Sequence, residues 1–140
     1  MEFSLAIPLF LLVFLGIAEG GYFVAATTIV NNATHEGARL GVLEGTASRT
    51  DIRTRVQQSA APIVSVPGTD ISLQIAKVNP DGTYQSLVAC DDTCYVTRKK
   101  DDRLVVLTDY THVPLVGYVF PAITFPADAR AELTVEGDAL

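Results

Sequence analysis

The chain has 140 residues and a formal net charge of −6, from ten basic and sixteen acidic side chains. An acidic chain without clustered Lys or Arg is not expected to bind nucleic acid, because contacts with phosphates need basic patches. The chain contains two histidines, two cysteines and no tryptophan. This inventory offers few residues for a catalytic site, so we expect no enzymatic activity and no cofactor.

The charged residues are unevenly distributed along the chain. Residues 1–35 contain two, Glu2 and Glu19, and no Lys or Arg, whereas all ten basic side chains lie in residues 36–140. This contrast predicts two parts: a long apolar N-terminal helix over residues 1–45 and a body over residues 46–140. A body of the size of residues 46–140 is large enough to fold on its own.

The N-terminal apolar run is compatible with three kinds of segment. Phe3 to Ala18 is uncharged, Glu19 interrupts it, and Gly20 to Val30 resumes it; a membrane-spanning helix needs about 20 apolar residues. A cleaved signal peptide is the first, but the start is not positively charged and the apolar run continues past a small-residue site at Gly16 to Ala18. A plain membrane anchor is the second, although Glu19 is costly within a bilayer.

The third kind of segment is a helix that packs against copies of itself in a filament. There an acidic residue at the start of an apolar helix is stabilised by the positive end of the helix dipole. It can also pair with the terminal amine of a neighbouring subunit. Both effects are stronger in a water-poor core, and Glu2 is in the position to benefit from them.

Three stretches carry a resemblance to a known family: EFSLAIPLFLL at residues 2–12, GIAEGG at 16–21 and NATHEGAR at 32–39. They are similar to the TadE-like family, a pilin-like group from the tight-adherence (Tad) branch of type IV pilus systems. Residues 105–115 and 129–136 resemble the family's closing strands more loosely. The resemblance implies a membrane and filament-core helix over residues 1–45 and an extracytoplasmic body over 46–140.

The resemblance also implies a life cycle. A prepilin peptidase would process the chain, the inner or cytoplasmic membrane would store it, and the pilus assembly machinery would add it to a homopolymeric cell-surface filament used in adhesion. The alternative that stays open is a single-pass, membrane-anchored minor pilin or assembly protein whose body binds a partner without forming the main filament.

Individual residues of the apolar run receive expected roles. Glu2 and Glu19 are expected to set assembly and register. Pro8 and Gly16 are expected to bend the helix, because proline lacks an N–H and glycine lowers helix propensity. Apolar side chains are expected to pack in the helix core: Phe3, Leu5, Ile7, Leu9, Phe10, Leu12, Val13, Phe14 and Ile17.

The helical pattern persists beyond Gly21 and then gives way to strands. A stripe at alternating spacings of four and three predicts one helix to about residue 44, and Gly45 is expected to end it. A second helix is predicted from Thr50 to about Ile63, with Ser48 or Thr50 as its cap. Alternating apolar residues then predict an antiparallel sheet packed on the helices, an α+β fold. The stripe is Tyr22, Ala26, Ile29, Ala33, Glu36, Leu40 and Leu43, and the strands are near 71–78, 84–90, 103–110 and 129–135.

The sequence contains a few further candidate sites, each with a simpler structural interpretation. Cys90 and Cys94 favour a hairpin disulfide over zinc, because zinc needs about four ligands and the sequence has no second cysteine pair. Asp91 and Asp92 supply too few oxygens for calcium and are expected in a solvated loop. The glycosylation sequon Asn32 to Thr34 falls within the predicted helix, so we expect it to be part of a polar helix face. His35 and His112 are expected to be isolated at a surface or interface.

Overall fold

A long helix and a four-stranded sheet dominate the computed structural model, which describes residues 3–43, 47–61, 63–91, 97–114 and 124–136, with the side chains of residues 3–5 left out. This arrangement confirms the predicted α+β fold. Two α-helices precede the strands: α1 Phe3–Leu43 and α2 Arg49–Ala60. A 3-10 turn, Gly68–Asp70, leads into the strands β1 Ile71–Ala76, β2 Val88–Ala89, β3 Arg103–Thr108, β4 Thr111–His112, β5 Phe125–Pro126 and β6 Ala129–Thr134.

Helix α1 runs unbroken for 41 residues, through Pro8 and five glycines. At 1.5 Å per residue it is about 60 Å long. Its second half is buried at Ala26, Val30, Ala33, Ala38 and Val42, whereas every described side chain from residue 6 to residue 18 is exposed. The helix therefore belongs to the core of the body only over its second half. A bend at Pro8 or Gly16 remains a prediction.

Helix α2 begins with a capping box. The backbone N–H of Ser48 donates to Asp51 Oδ2 at 2.8 Å, and the backbone N–H of Asp51 donates to Ser48 Oγ at 3.2 Å. The hydrogen bond from the Ser48 backbone, followed by that from its hydroxyl, lowers the pKa of Asp51. The helix ends at Ala60 rather than at the predicted Ile63, because a residue before proline avoids the helical conformation, and Ala61 is extended at ψ 151°.

The main sheet has the strand order β2-β1-β3-β6, and every neighbouring pair is antiparallel. Leu73 lies opposite Val106, and Val106 lies opposite Ala131, which places all three in the core. The predicted strands at 71–78, 103–110 and 129–135 are close to the observed ones. The predicted strand at 84–90 is wrong in length, because only Val88–Ala89 pairs with β1, with a separate bridge between Val78 and Tyr84.

The buried face of α1 matches the predicted stripe only in part, since Ala26 and Ala33 are buried as expected. Tyr22 and Leu43 are about half exposed, whereas Val30, Gly37 and Ala38 are buried. Small residues explain the difference, because they let α2 approach the α1 backbone closely. A Cβ added at Gly37 would collide with Val56 Cγ2 and lie 3.3 Å from the carbonyl oxygen of Ile52.

One polar contact ties α1 to the sheet inside the core. The hydroxyls of Thr34 and Thr108 are hydrogen-bonded at 2.8 Å, and both residues are fully buried. The Thr34 hydroxyl also lies 2.7 Å from the Val30 carbonyl oxygen. Buried hydroxyls need such partners, so this contact fixes how the helix lies across β3.

The predicted disulfide falls partly outside the described residues. Cys90 is 3% exposed, and its backbone N–H donates to the Leu73 carbonyl at 2.7 Å. Cys94 and Asp92 lie in a segment that is not described, whereas Asp91 is exposed, as expected of a solvated loop. Pairing of Cys90 with Cys94 therefore remains a prediction.

The close approach at Gly37 predicts the effect of a methyl group there. Gly37→Ala improves helix propensity but forces the methyl group against Val56, which is stiff at χ1. We expect a net loss of about 1–2 kcal/mol in the free energy of unfolding, measured by thermal denaturation in mild detergent. Gly21→Ala is the matched control, since its Cβ meets open space. This variant should gain up to about 1 kcal/mol in the free energy of unfolding. Equal stabilisation by both variants would contradict the close packing.

The cysteine pairing predicts resistance to alkylation. In denaturant without reductant, neither Cys90 nor Cys94 should react with iodoacetamide, and reduction should then add two labels to the intact mass. Denaturant removes protection by burial, so only a covalent bond between the sulfurs explains such resistance. Two labels before reduction would show free thiols instead.

Candidate functional site

The stem, defined as residues 6–21 of α1, exposes an unusually large apolar surface. Phe10, Leu12 and Ile17 are 70%, 69% and 71% exposed. Soluble monomers rarely expose contiguous apolar patches above a few hundred Å², so this surface is built to be covered. Its large apolar members, all about half exposed or more, are Ile7, Leu9, Phe10, Leu11, Leu12, Val13, Phe14, Leu15 and Ile17.

Most predicted packing residues lie on this surface. Seven of the nine named from the sequence are among its exposed members, and the side chains of Phe3 and Leu5 lie outside the described part. Successive helical residues are 100° apart, so nine exposed apolar side chains within eleven residues surround the axis on every side. A helix that is apolar all round suits a membrane or the core of an assembly.

Helix α1 also meets the length and composition of a membrane span. The candidate span is Ala6–Leu43, its best window has a mean hydropathy of 2.0, and 6% of that window is buried. A core helix of a soluble protein passes the same test but is mostly buried, unlike the stem. The 16 residues of the stem rise about 24 Å, close to the hydrocarbon thickness of about 30 Å.

Glu19 lies where the stem meets the body, and it is paired there. Its Oε1 atom is 2.8 Å from Nε2 of His112. The Glu19 side chain is 15% exposed and that of His112 is 2% exposed. A carboxylate at this depth needs such a partner, because burial of an unpaired charge is costly. The pair therefore allows an acidic residue to sit at the end of an apolar stem.

Strands β4 and β5 position the histidine. His112 lies opposite Phe125 in this two-stranded ladder. The ring centroid of Phe23 in α1 is 5.6 Å from that of His112 and 5.6 Å from that of Phe125. The ring centroids of Tyr22 and Tyr110 are 5.3 and 6.4 Å from that of His112. Burial raises the pKa of Tyr110, and the neighbouring Tyr22 adds a smaller effect in the same direction. Rings on three sides exclude water and strengthen the contact between Glu19 and His112.

Both histidines were expected to be isolated at a surface or interface. This expectation is wrong for His112, which is buried, and is consistent with the exposed position of His35 on α1. His112 is buried because β4 places it against α1, which residue spacing alone does not reveal. A signal for its orientation exists, since Tyr110, His112 and Pro114 alternate with exposed neighbours and share one face. The register role expected of Glu19 remains a prediction, and Glu2 lies outside the described residues.

A pocket of about 360 Å³ opens beside this pair. Helix α1 supplies one wall, in which Gly16 and Gly20 project no side chain and have open space around them. The body supplies the other wall through residues of and next to β4 and β5. The pocket is therefore a mainly apolar recess at the base of the stem, lined by Gly16, Glu19, Gly20, Phe23, His112, Pro114 and Phe125.

The pair predicts that removal of the imidazole destabilises the protein. His112→Ala leaves the Glu19 carboxylate without this partner, so we expect a loss of about 1–3 kcal/mol in the free energy of unfolding, measured by thermal denaturation in mild detergent. His35→Ala, at an exposed position on α1, should change it by less than about 0.5 kcal/mol. Glu19→Gln should make the His112→Ala loss smaller, and strict additivity of the two changes would rule out the coupling.

The comparisons with known proteins concern the N-terminal part of the chain. The family model for TadE-like proteins matches residues 1–39, which include the stem and most of the buried half of α1. Nothing among the curated proteins or the solved structures matches the chain. The match confirms the resemblance carried by the three stretches at residues 2–12, 16–21 and 32–39. Over residues 1–39 the chain is therefore similar to TadE-like proteins.

Proposed function

We propose that this protein is a structural, pilin-like subunit that polymerises through its stem into a cell-surface filament of the Tad type. The observation that carries the proposal is the exposed apolar stem, which continues without a break into the buried half of α1. The stem is thereby joined to the core of the body without an intervening loop. The work of the protein is assembly, without bond chemistry.

The same surface serves two successive environments in this proposal. Before assembly, lipid covers the stem in the inner or cytoplasmic membrane; after assembly, the stems of identical subunits cover it. Apolar side chains pack with either partner, and burial contributes about 25 cal/mol per Å² when it removes surface from water. The match to the TadE-like model supports a prepilin peptidase and a pilus assembly machinery as further partners.

The body is the part displayed outward. Residues 46–140 contain nine of the ten basic and twelve of the sixteen acidic side chains, so this part is compatible with water on its outer surface. In the filament the bodies would surround the packed stems and make the adhesive contacts. The disulfide proposed for Cys90 and Cys94 would stabilise a loop of that outer layer in an oxidising environment.

A second candidate is a membrane-anchored minor pilin or assembly protein. The observation in its favour is the length of the stem, which suits a bilayer without any assembly. In that case lipid would remain the permanent cover of the stem. The two candidates differ in where the protein is found when cells are sheared.

Shearing of cells tests the proposal, with a charge variant that reports on assembly. Detergent-free sheared material should contain the protein in a fraction that sediments as filaments. Glu2→Gln keeps the side-chain size but removes the charge expected to pair with a neighbour's amine, so it should lower filament yield about tenfold or more. The membrane content of the variant should stay at the wild-type level.

Glu2→Asp is the matched control, since it keeps the charge and should reduce the yield less. If the wild-type protein remains entirely with the membranes after shearing, the anchored candidate replaces the filament. If filaments form and Glu2→Gln gives the normal yield, the charge at Glu2 has no role in assembly.

A further inference from the structure

The pocket at the base of the stem is large enough for an aromatic ring. Its volume is about 360 Å³, whereas an apolar cavity of about 150 Å³ already binds benzene. Gly16 and Gly20 leave its helical wall flat, and open space surrounds the position where a Cβ would stand at either residue. Phe125 and Pro114 provide apolar walls from the body.

The same chain exposes two rings of suitable size. Phe10 is 70% exposed and Phe14 is 59% exposed, and their spacing of four places them on one face of α1. Each ring precedes a pocket glycine by six residues: Phe10 precedes Gly16, and Phe14 precedes Gly20. Six residues correspond to a rotation of about 120° around the helix axis and a rise of about 9 Å along it.

We propose that the pocket of one subunit receives the Phe10 and Phe14 face of the next subunit's stem. This inference rests on the proposed function, because membrane storage requires all stems to point the same way. Between parallel stems, an offset of about 9 Å and 120° prevents two copies from making the contact reciprocally. The contact therefore repeats from subunit to subunit as an open chain and does not close into a dimer.

The exposed apolar surface of the stem extends beyond the two rings. Nine large apolar side chains are about half exposed or more, and they lie on every side of the axis. One neighbour can cover only one face of such a rod, so the other faces stay available to further subunits. The stem of a second copy therefore provides the rings that fit the pocket, and its remaining faces allow the contact to repeat.

The pairing of Glu19 with His112 keeps the pocket suitable for a ring. The carboxylate lines the pocket, and without a partner it would retain water there, because an unpaired charge resists desolvation. With Nε2 of His112 at 2.8 Å, the carboxylate is satisfied from within its own chain.

Two variants test the contact from its two sides in the full chain, purified in mild detergent. Gly20→Leu fills the pocket, and Gly21→Leu is the matched control, since its Cβ also meets open space but Gly21 does not line the pocket. Phe10→Ala/Phe14→Ala removes the rings, and Leu11→Ala/Leu15→Ala removes two equally spaced side chains from another face. Sedimentation velocity measures self-association of each variant.

Wild-type chains should form a distribution of oligomers, with both controls close to it. Gly20→Leu and the Phe10→Ala/Phe14→Ala variant should each associate roughly tenfold or more weakly. A mixture of the two should restore association only as pairs, because one variant retains its rings and the other retains its pocket. Loss of association in Gly20→Leu and Gly21→Leu alike, or a mixture that forms no pairs, would overturn the proposal.

Further outcomes distinguish this contact from lipid binding in the pocket and from filament formation itself. If Gly20→Leu reduces only the amount of co-purified lipid and leaves self-association unchanged, lipid occupies the pocket and the proposal is wrong. If pairs form as expected but sheared cells yield no filaments, the contact stands and the proposed filament does not. If filaments form normally from Gly20→Leu subunits, the filament stands and the contact fails.

Discussion

The continuity of α1 is the constraint on which the rest of the structure depends. One helix of 41 residues is a core element of the body at one end and an exposed apolar rod at the other. Because an α-helix satisfies its own backbone hydrogen bonds, it can leave the body without exposing unpaired polar groups to an apolar environment. No strand or loop could make that transition. The body must therefore be built around the helix, with α2 and the sheet packed on its second half.

Close packing around that half is achieved with small side chains rather than large ones. Gly37 and Ala38 let α2 approach the α1 backbone, and Thr34 bonds to Thr108 of the sheet in the same region. A helix fixed from two sides in this way has one orientation relative to the body. The direction in which the stem leaves the body follows from these contacts, although none of them lies in the stem.

The sequence predicts the elements of this fold better than their contacts. Uncharged length predicts α1, Ser48 as one of two expected caps predicts the start of α2 to within one residue, and alternation predicts three of the four strands of the main sheet. The predicted stripe of α1 is right in part: its two alanines are buried, whereas Tyr22 and Leu43 at its ends are about half exposed. The size of an apolar residue is a poor sign of burial here, because a glycine allows the close approach of α2. The partner of Glu19 was missed because His112 is 93 residues away, and local periodicity has no information on such a pair. The alternation around His112 indicates its inward face, but not what it faces.

The pairing of Glu19 has a consequence for how subunits of this kind can recognise one another. Among the described residues of the stem Glu19 carries the only charge, and His112 of the same chain already satisfies it. In the proposed filament, an ionic contact between neighbouring stems at this position would therefore have to compete with His112. Apolar attraction alone is non-directional and tolerates sliding along the axis. Shape must then supply the specificity, and the pocket at the stem base beside the exposed rings of Phe10 and Phe14 is a feature with enough relief to do so. In the proposed filament, charge at Glu2 would act before the start of the stem and shape at the pocket would act at its base. Two such points are sufficient to fix both the position and the rotation of a rod.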